Sequence, residues 1–240
     1  MESVVEAFNE YYYSPDTGLY VKREFLKASE EVKKAAAKLR IQLSVDREGR
    51  INNITYHEAK KLFEHLGLTM MSLSEYWLVL KEAEASHDEQ MLSHLRSRGF
   101  VELLDTVILD GKVVIDHPQV TFTDEEPNYL GERHEVVIPQ ALPGLIYPED
   151  IDFKTGFPKV VHGSTHFDKR TWRYWSPDAP VCIATRGHIF LLDQPALDTK
   201  IHPDDALKNL GIRPCCYKVK PPKVEIVQEE KGIRAVINKE

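Results

Sequence analysis

Proline is so unevenly distributed along this chain that it sets the first limit on the fold. One proline is Pro15, and the other thirteen of the 14 lie at Pro118 or beyond in a sequence of 240 residues. Proline has no backbone N–H and its ring blocks a helix interior, so long helices are confined to the part before residue 118. The expected class is α+β: a mainly helical N-terminal domain, 1–117, followed by a mainly β domain, 118–240, that is proline-rich, antiparallel, irregular and rich in loops.

Periodicity fills in the elements. Phe25, Ala28, Val32, Ala35 and Leu39 recur at three- and four-residue steps, which predicts an amphipathic helix over 22–40. Alternation at Ile41, Leu43 and Val45, a turn at Asp46–Gly49, then Ile51 and Ile54, predict a short hairpin. Thr55 with Glu58 and Ser72 with Glu75 have capping-box spacing, so two helices start there, the first stopping at Gly67. A further helix is expected over 88–98, and 100–104 reads as another. Val107–Leu109 and Val113–Ile115 flank Asp110-Gly111 as a hairpin. Beyond it come short apolar runs at 136–138, 160–161, 181–184, 189–192 and 215–219, and a C-terminal hairpin around Glu229–Gly232.

Charge and cysteine content narrow the function classes. Thirty-one Lys and Arg against 38 Asp and Glu give a net charge of −7, which argues against nucleic acid as a partner. No run of 18 apolar residues and no basic-then-apolar leader occurs, so the expectation is a cytoplasmic protein without membrane association; a virion component also fits these absences. Cys182, Cys215 and Cys216 form no disulfide framework.

Three stretches hold residues suited to chemistry. Five of the ten histidines fall between His134 and His202. Among them His162 and His166, with Asp168 two residues on, offer imidazole and carboxylate ligands for a divalent metal, with His188 or His202 in reserve. That arrangement would suit a metal-dependent oxygenase or hydrolase using residues 162–202. Asp152-Phe-Lys154-Thr-Gly156 resembles the metal-binding strand of the RecB-like nucleases, in which an acid from a preceding strand, here Glu132 or Glu135, would share Mg²⁺. Finally, Tyr147, Trp172 and Tyr174 lie in a loop-rich, aromatic-rich stretch of the kind that carries binding.

Tyr174-Trp175-Ser-Pro, then Ala184-Thr-Arg-Gly187, then Asn209-Leu-Gly211-Ile-Arg213-Pro together resemble the closing part of C-type-lectin-like modules, the group that includes the formylglycine-generating-enzyme fold. The resemblance covers residues 174–214 and implies scaffold roles for Trp175, Gly211 and Arg213. The reactive cysteine pair of the formylglycine-generating enzymes has no counterpart, because only Cys182 lies in the corresponding region. The leading functional expectation is a recognition protein whose C-terminal loops bind a protein, glycan or small molecule. The metal-dependent enzyme and the RecB-like nuclease are the alternatives.

Overall fold

A Pro15–Gly18 turn joins strand β1 (Tyr11–Ser14) to β2 (Leu19–Lys22), and Gly18 closes it with φ 70° and an N–H donated to the Ser14 carbonyl. The computed structural model describes residues 10–96, 101–123, 126–139, 144–163, 171–189, 194–206, 210–217, 223–229 and 232–238, side chains excepted at 187–189, 194, 223–229 and 232–238. The helix expected over 22–40 is shorter, α1 (Glu30–Leu39). Of the expected range Lys22 belongs instead to β2, and Ser29 provides the N-cap, its Oγ accepting the Val32 N–H. The hairpin β3 (Ser44–Val45) and β4 (Ile51–Asn52) follows as expected. Both capping boxes form, at the starts of α2 (Tyr56–Leu66) and α3 (Leu73–Ala85), and Gly67 ends α2 at φ 67°. Asp88 caps α4 (Glu89–Leu95).

Of the stretch 100–104 expected as helix, residue 100 lies outside the described residues and 101–104 is not helical. Residues 101–109 form β5 (Val101–Leu109), an interior strand of the large sheet. It hairpins through Asp110 and Gly111, both at positive φ, into β6 (Val113–Thr123), which pairs with β7 (Glu126–Glu135). On its other edge β5 pairs with β10 (Val181–Ile189), and the sheet continues through β11 (Gln194–Ile201), β9 (Trp172–Trp175) and β8 (Gly144–Ile146). The short β12 (Leu210–Gly211) also joins β5, in parallel. β13 (Cys215–Tyr217) adds to the β1–β2 hairpin, and β14 (Lys223–Glu229) pairs antiparallel with β15 (Gly232–Asn238) as the C-terminal hairpin. The runs 136–138 and 160–161 form no strand; the nearest pairing is an isolated bridge between His162 and Leu145.

The protein is α+β, but the expected division at residue 117 falls inside β6, and the β5–β10 ladder joins the two halves into one sheet. At β5 both faces of that sheet are covered. Leu104 and Ile108 pack with α3 and α4 in one apolar cluster, whereas Leu103 and Val107 pack with α1 and α2 in the other. Side chains alternate along a strand, so the two helix pairs lie on opposite sides. Strand β5 is buried at every position from Glu102 to Ile108, the continuous burial of a doubly covered strand, although Glu102, Asp105 and Thr106 interrupt its apolar residues. No helix among the described residues is long and apolar enough to cross a membrane.

The aromatics of β9 occupy the reverse of their expected phase. Trp172 and Tyr174, expected to face a ligand, are buried in the core, and the Trp172 ring meets Trp77 at 4.8 Å between centroids. Trp175, expected in the core, is half-exposed with Lys200 over its ring. Trp172→Ala should therefore cost ~3–5 kcal/mol of stability. Trp175→Ala should stay within about 1 kcal/mol. Denaturant unfolding of the two variants checks the assignment, and equal losses would reverse it.

Candidate functional site

Strand β5 carries two fully buried carboxylates, on opposite faces of the sheet. Each gathers its partners from elements distant in sequence. Glu102 faces α3 and α4. Arg213 Nε donates to its Oε1 at 2.6 Å, and the Nη2 atoms of Arg186 and Arg213 both donate to Oε2 at 3.2 Å. Burial alone would raise the Glu102 pKa, but the two guanidinium groups hold it below the usual carboxylate range. Arg213 also donates to the carbonyls of Lys22, Arg23 and His94, and its guanidinium lies 4.6 Å from the centre of the Phe25 ring. Gly211, in β12, is paired with Glu102 in register.

Asp105 faces α2. Tyr56 Oη donates to Oδ1 at 2.8 Å, and Lys60 Nζ and His117 Nδ1 donate to Oδ2 at 2.9 and 3.2 Å. Burial would raise its pKa, yet the hydrogen bond from His117 and the charge of Lys60 keep it low. His117 lies at a β-bulge where the β6–β7 register shifts between Asp116 and Gln119, and its φ is 48°. A non-glycine residue held there stores strain on the order of 1–3 kcal/mol. Gly131 makes the bulge feasible, since a Cβ at that position would stand 2.9 Å from the Asp116 carbonyl oxygen and 3.2 Å from Pro118 Cα.

The strained conformation gives His117 two acidic partners. Its Nε2 is 2.9 Å from Glu75 Oε2 and 2.7 Å from Tyr217 Oη, while Tyr217 Oη donates to the other Glu75 oxygen. Burial would lower the His117 pKa, but the hydrogen bonds to Asp105 and Glu75 push it up to about 10, so the ring is an imidazolium across the neutral range. Next to it, Asp116 accepts from Thr106 Oγ1 at 2.8 Å and from Ser74 Oγ at 3.4 Å. Burial pushes Asp116 up to about 6. A general base needs an imidazole that is neutral at the working pH, and here both nitrogens are committed to carboxylates. The cluster acts as a clamp joining β5, β6, α2, α3 and β13.

A concave surface lies elsewhere. An open cleft of about 680 Å³ is bounded by residues 22–27, the start of α1, residues 66 and 68, and His94. Phe25, Leu26, Leu66 and Leu68 form its apolar part, and Lys22, Arg23, Lys27, Glu10, Glu24 and Glu31 its charged part. The Glu102–Arg213 pair stands directly behind this wall, since Arg213 binds the carbonyls of Lys22, Arg23 and His94 and stacks on Phe25. Burial and the charge of Arg213 lower the His94 pKa, leaving its ring neutral at physiological pH.

The residues singled out in the sequence are scattered. His162 Nε2 contacts Asp150 Oδ2 at 2.9 Å, and its ring meets Tyr147 edge-on at 5.3 Å, so Tyr147 and His162 form a small surface cluster. His166 and Asp168 lie outside the described residues, as does the His188 side chain, and His202 sits in a turn with Asp204 and Asp205. No group of three or more metal-ligating side chains occurs among the described residues. Asp152 and Lys154 occupy a turn rather than a strand, with Asp152 Oδ1 accepting the Lys154 N–H and Lys154 exposed. Comparison with protein-family models, with curated proteins and with solved structures returns no match for this chain.

Sequence reasoning passed over Asp105, His117 and the cleft. The signal for the bulge was Asp116-His117-Pro118 breaking an apolar strand, since proline inside a sheet is confined to edges and bulges. The Asp116 carboxyl supplies a pH test. Its folded pKa of about 6 exceeds the ordinary 3.8, so stability falls as pH rises from 3.8 to 6 and stays lower above that. At ~1.4 kcal/mol per pH unit the cost reaches about 3 kcal/mol. Asp116→Asn, which keeps an oxygen for Thr106, should raise the melting temperature above pH 6 and leave it unchanged at pH 4. Calorimetry across that range decides; a variant no more stable at pH 7.5 would contradict the burial argument.

Proposed function

We propose that this is a recognition protein that seats a small molecule in the cleft between residues 22–27, α1 and α4. The observation that carries the reading is the union of a cleft of about 680 Å³ with a wall fixed from behind by the buried Glu102–Arg213 pair. Volumes of ~300–1,000 Å³ suit small ligands. A wall whose carbonyls are already held by a buried guanidinium loses little further freedom on binding. A lining of charged and apolar side chains together matches the usual mixture of orienting groups and apolar contact in ligand sites.

The lectin-like resemblance of residues 174–214 enters the same proposal as a statement about scaffold. Within it Arg213 supports binding from behind, by holding the backbone of residues 22 and 23. Binding then belongs to the N-terminal half of the chain, and not to Trp172 and Tyr174, whose rings are buried.

A ligand-observed NMR screen of a small-fragment library tests the reading. Leu68, half-buried in the cleft wall, can be replaced by Trp to fill the space without disturbing the Glu102 pair. The expected result is a set of fragments that bind the wild type and lose at least about tenfold in affinity to Leu68→Trp, with the melting temperature within a few degrees of wild type. Fragments that bind both proteins equally, or an absence of binders, would overturn it.

A further inference from the structure

The charged side chains lining the cleft are equal in number and opposite in sign. Lys22, Arg23 and Lys27 share its walls with Glu10, Glu24 and Glu31. They do not hold their partners equally. Arg23 is fixed by a two-pronged bond to Asp88, at 2.9 and 2.8 Å, with both side chains largely buried. Lys22 meets Glu10 at 3.3 Å and Lys27 meets Glu24, in pairs whose side chains are roughly a third to a half exposed. Such exposed pairs contribute little and open readily. Glu31 sits in the first turn of α1, where its charge opposes the positive end of the helix. His94 adds no charge, because burial and Arg213 keep it neutral.

The cleft therefore holds one firmly paired cation, Arg23, and two exchangeable Lys–Glu pairs, together with the apolar side chains of Phe25, Leu26, Leu66 and Leu68. A ligand of one sign can open a Lys–Glu pair, but it leaves the displaced member without a counter-charge. A ligand with both an ammonium and a carboxylate replaces both members and leaves no net charge behind. We infer that the cleft, if the binding reading above holds, takes a small zwitterion with an apolar body, of the chemical class of a free amino acid with a hydrophobic side chain.

Three probes of one shape separate the possibilities by titration calorimetry on the full chain at pH 7: L-phenylalanine, 2-phenylethylamine and 3-phenylpropionate. The expected result is saturable binding of phenylalanine, with each single-sign probe at least about fivefold weaker. Lys27→Met should weaken phenylalanine and phenylpropionate while sparing phenylethylamine, and Leu68→Trp should abolish binding of phenylalanine. If a single-sign probe binds as tightly as phenylalanine and is lost in Leu68→Trp, the zwitterion inference falls while the binding reading stands. If phenylalanine gives no saturable signal, the inference falls as well, and the fragment screen alone then decides whether the cleft binds small molecules.

Discussion

Two ionised carboxylates buried on opposite faces of a single strand are the constraint that organises this molecule. Placing Glu102 and Asp105 where water cannot reach them would be prohibitive unless each were surrounded by cations and donors. The donors come from far along the chain: Arg186 and Arg213 for Glu102, and Tyr56, Lys60 and His117 for Asp105. Replacing such a buried set by apolar side chains need not weaken a fold, but removing one member leaves a charge with nothing to answer it. The two sets thus specify which elements meet at β5 more than they add to stability. They also join the parts of the chain on either side of residue 117, since Glu102 precedes that point and both of its arginines follow it.

How much of this could be read from the chain depended on whether the deciding interaction was local. Capping boxes at Thr55 and Ser72, the αL glycine after α2 and the Asp110-Gly111 turn are each set within a few residues, and all are present. Residues 107–109 of β5 are read correctly as a hairpin strand, but 101–104 read as helix, because burial on both faces removes the alternation that marks a strand. The phase of β9 was misread although a signal existed: Trp172 and Tyr174 share one face and Arg173 and Trp175 the other, and the arginine marks the second face as the wetter. The candidate site was least legible. The cleft draws on residues 10–32, 66–68, 90–94 and 214, and no spacing rule connects segments that only the tertiary fold brings together.

The histidine clamp and the cleft also separate two roles that a sequence makes easy to confuse. His117 has the strained backbone, displaced pKa and convergent carboxylates that often mark catalysis. Its hydrogen bonds are all spent on its own neighbours. The cleft has less unusual chemistry and more room, and the Lys–Glu pairs lining it are held loosely enough to be given up to a ligand. Titration behaviour alone would have selected the clamp; the availability of the groups favours the cleft.

Beyond the bulge β6 no longer pairs with β5, and the connection between α2 and α3 occupies the vacated position, where the Asp105 N–H donates to the Met71 carbonyl at 2.7 Å. Met70 belongs to one apolar cluster and Met71 to the other, so the chain passes through the plane of the sheet between adjacent residues. Neither helical layer can be peeled away without pulling this stitch and exposing β5. Native-state opening should therefore lack an intermediate with one face bare and the other intact, and the amides of β5 should exchange with solvent only when the whole sheet comes apart.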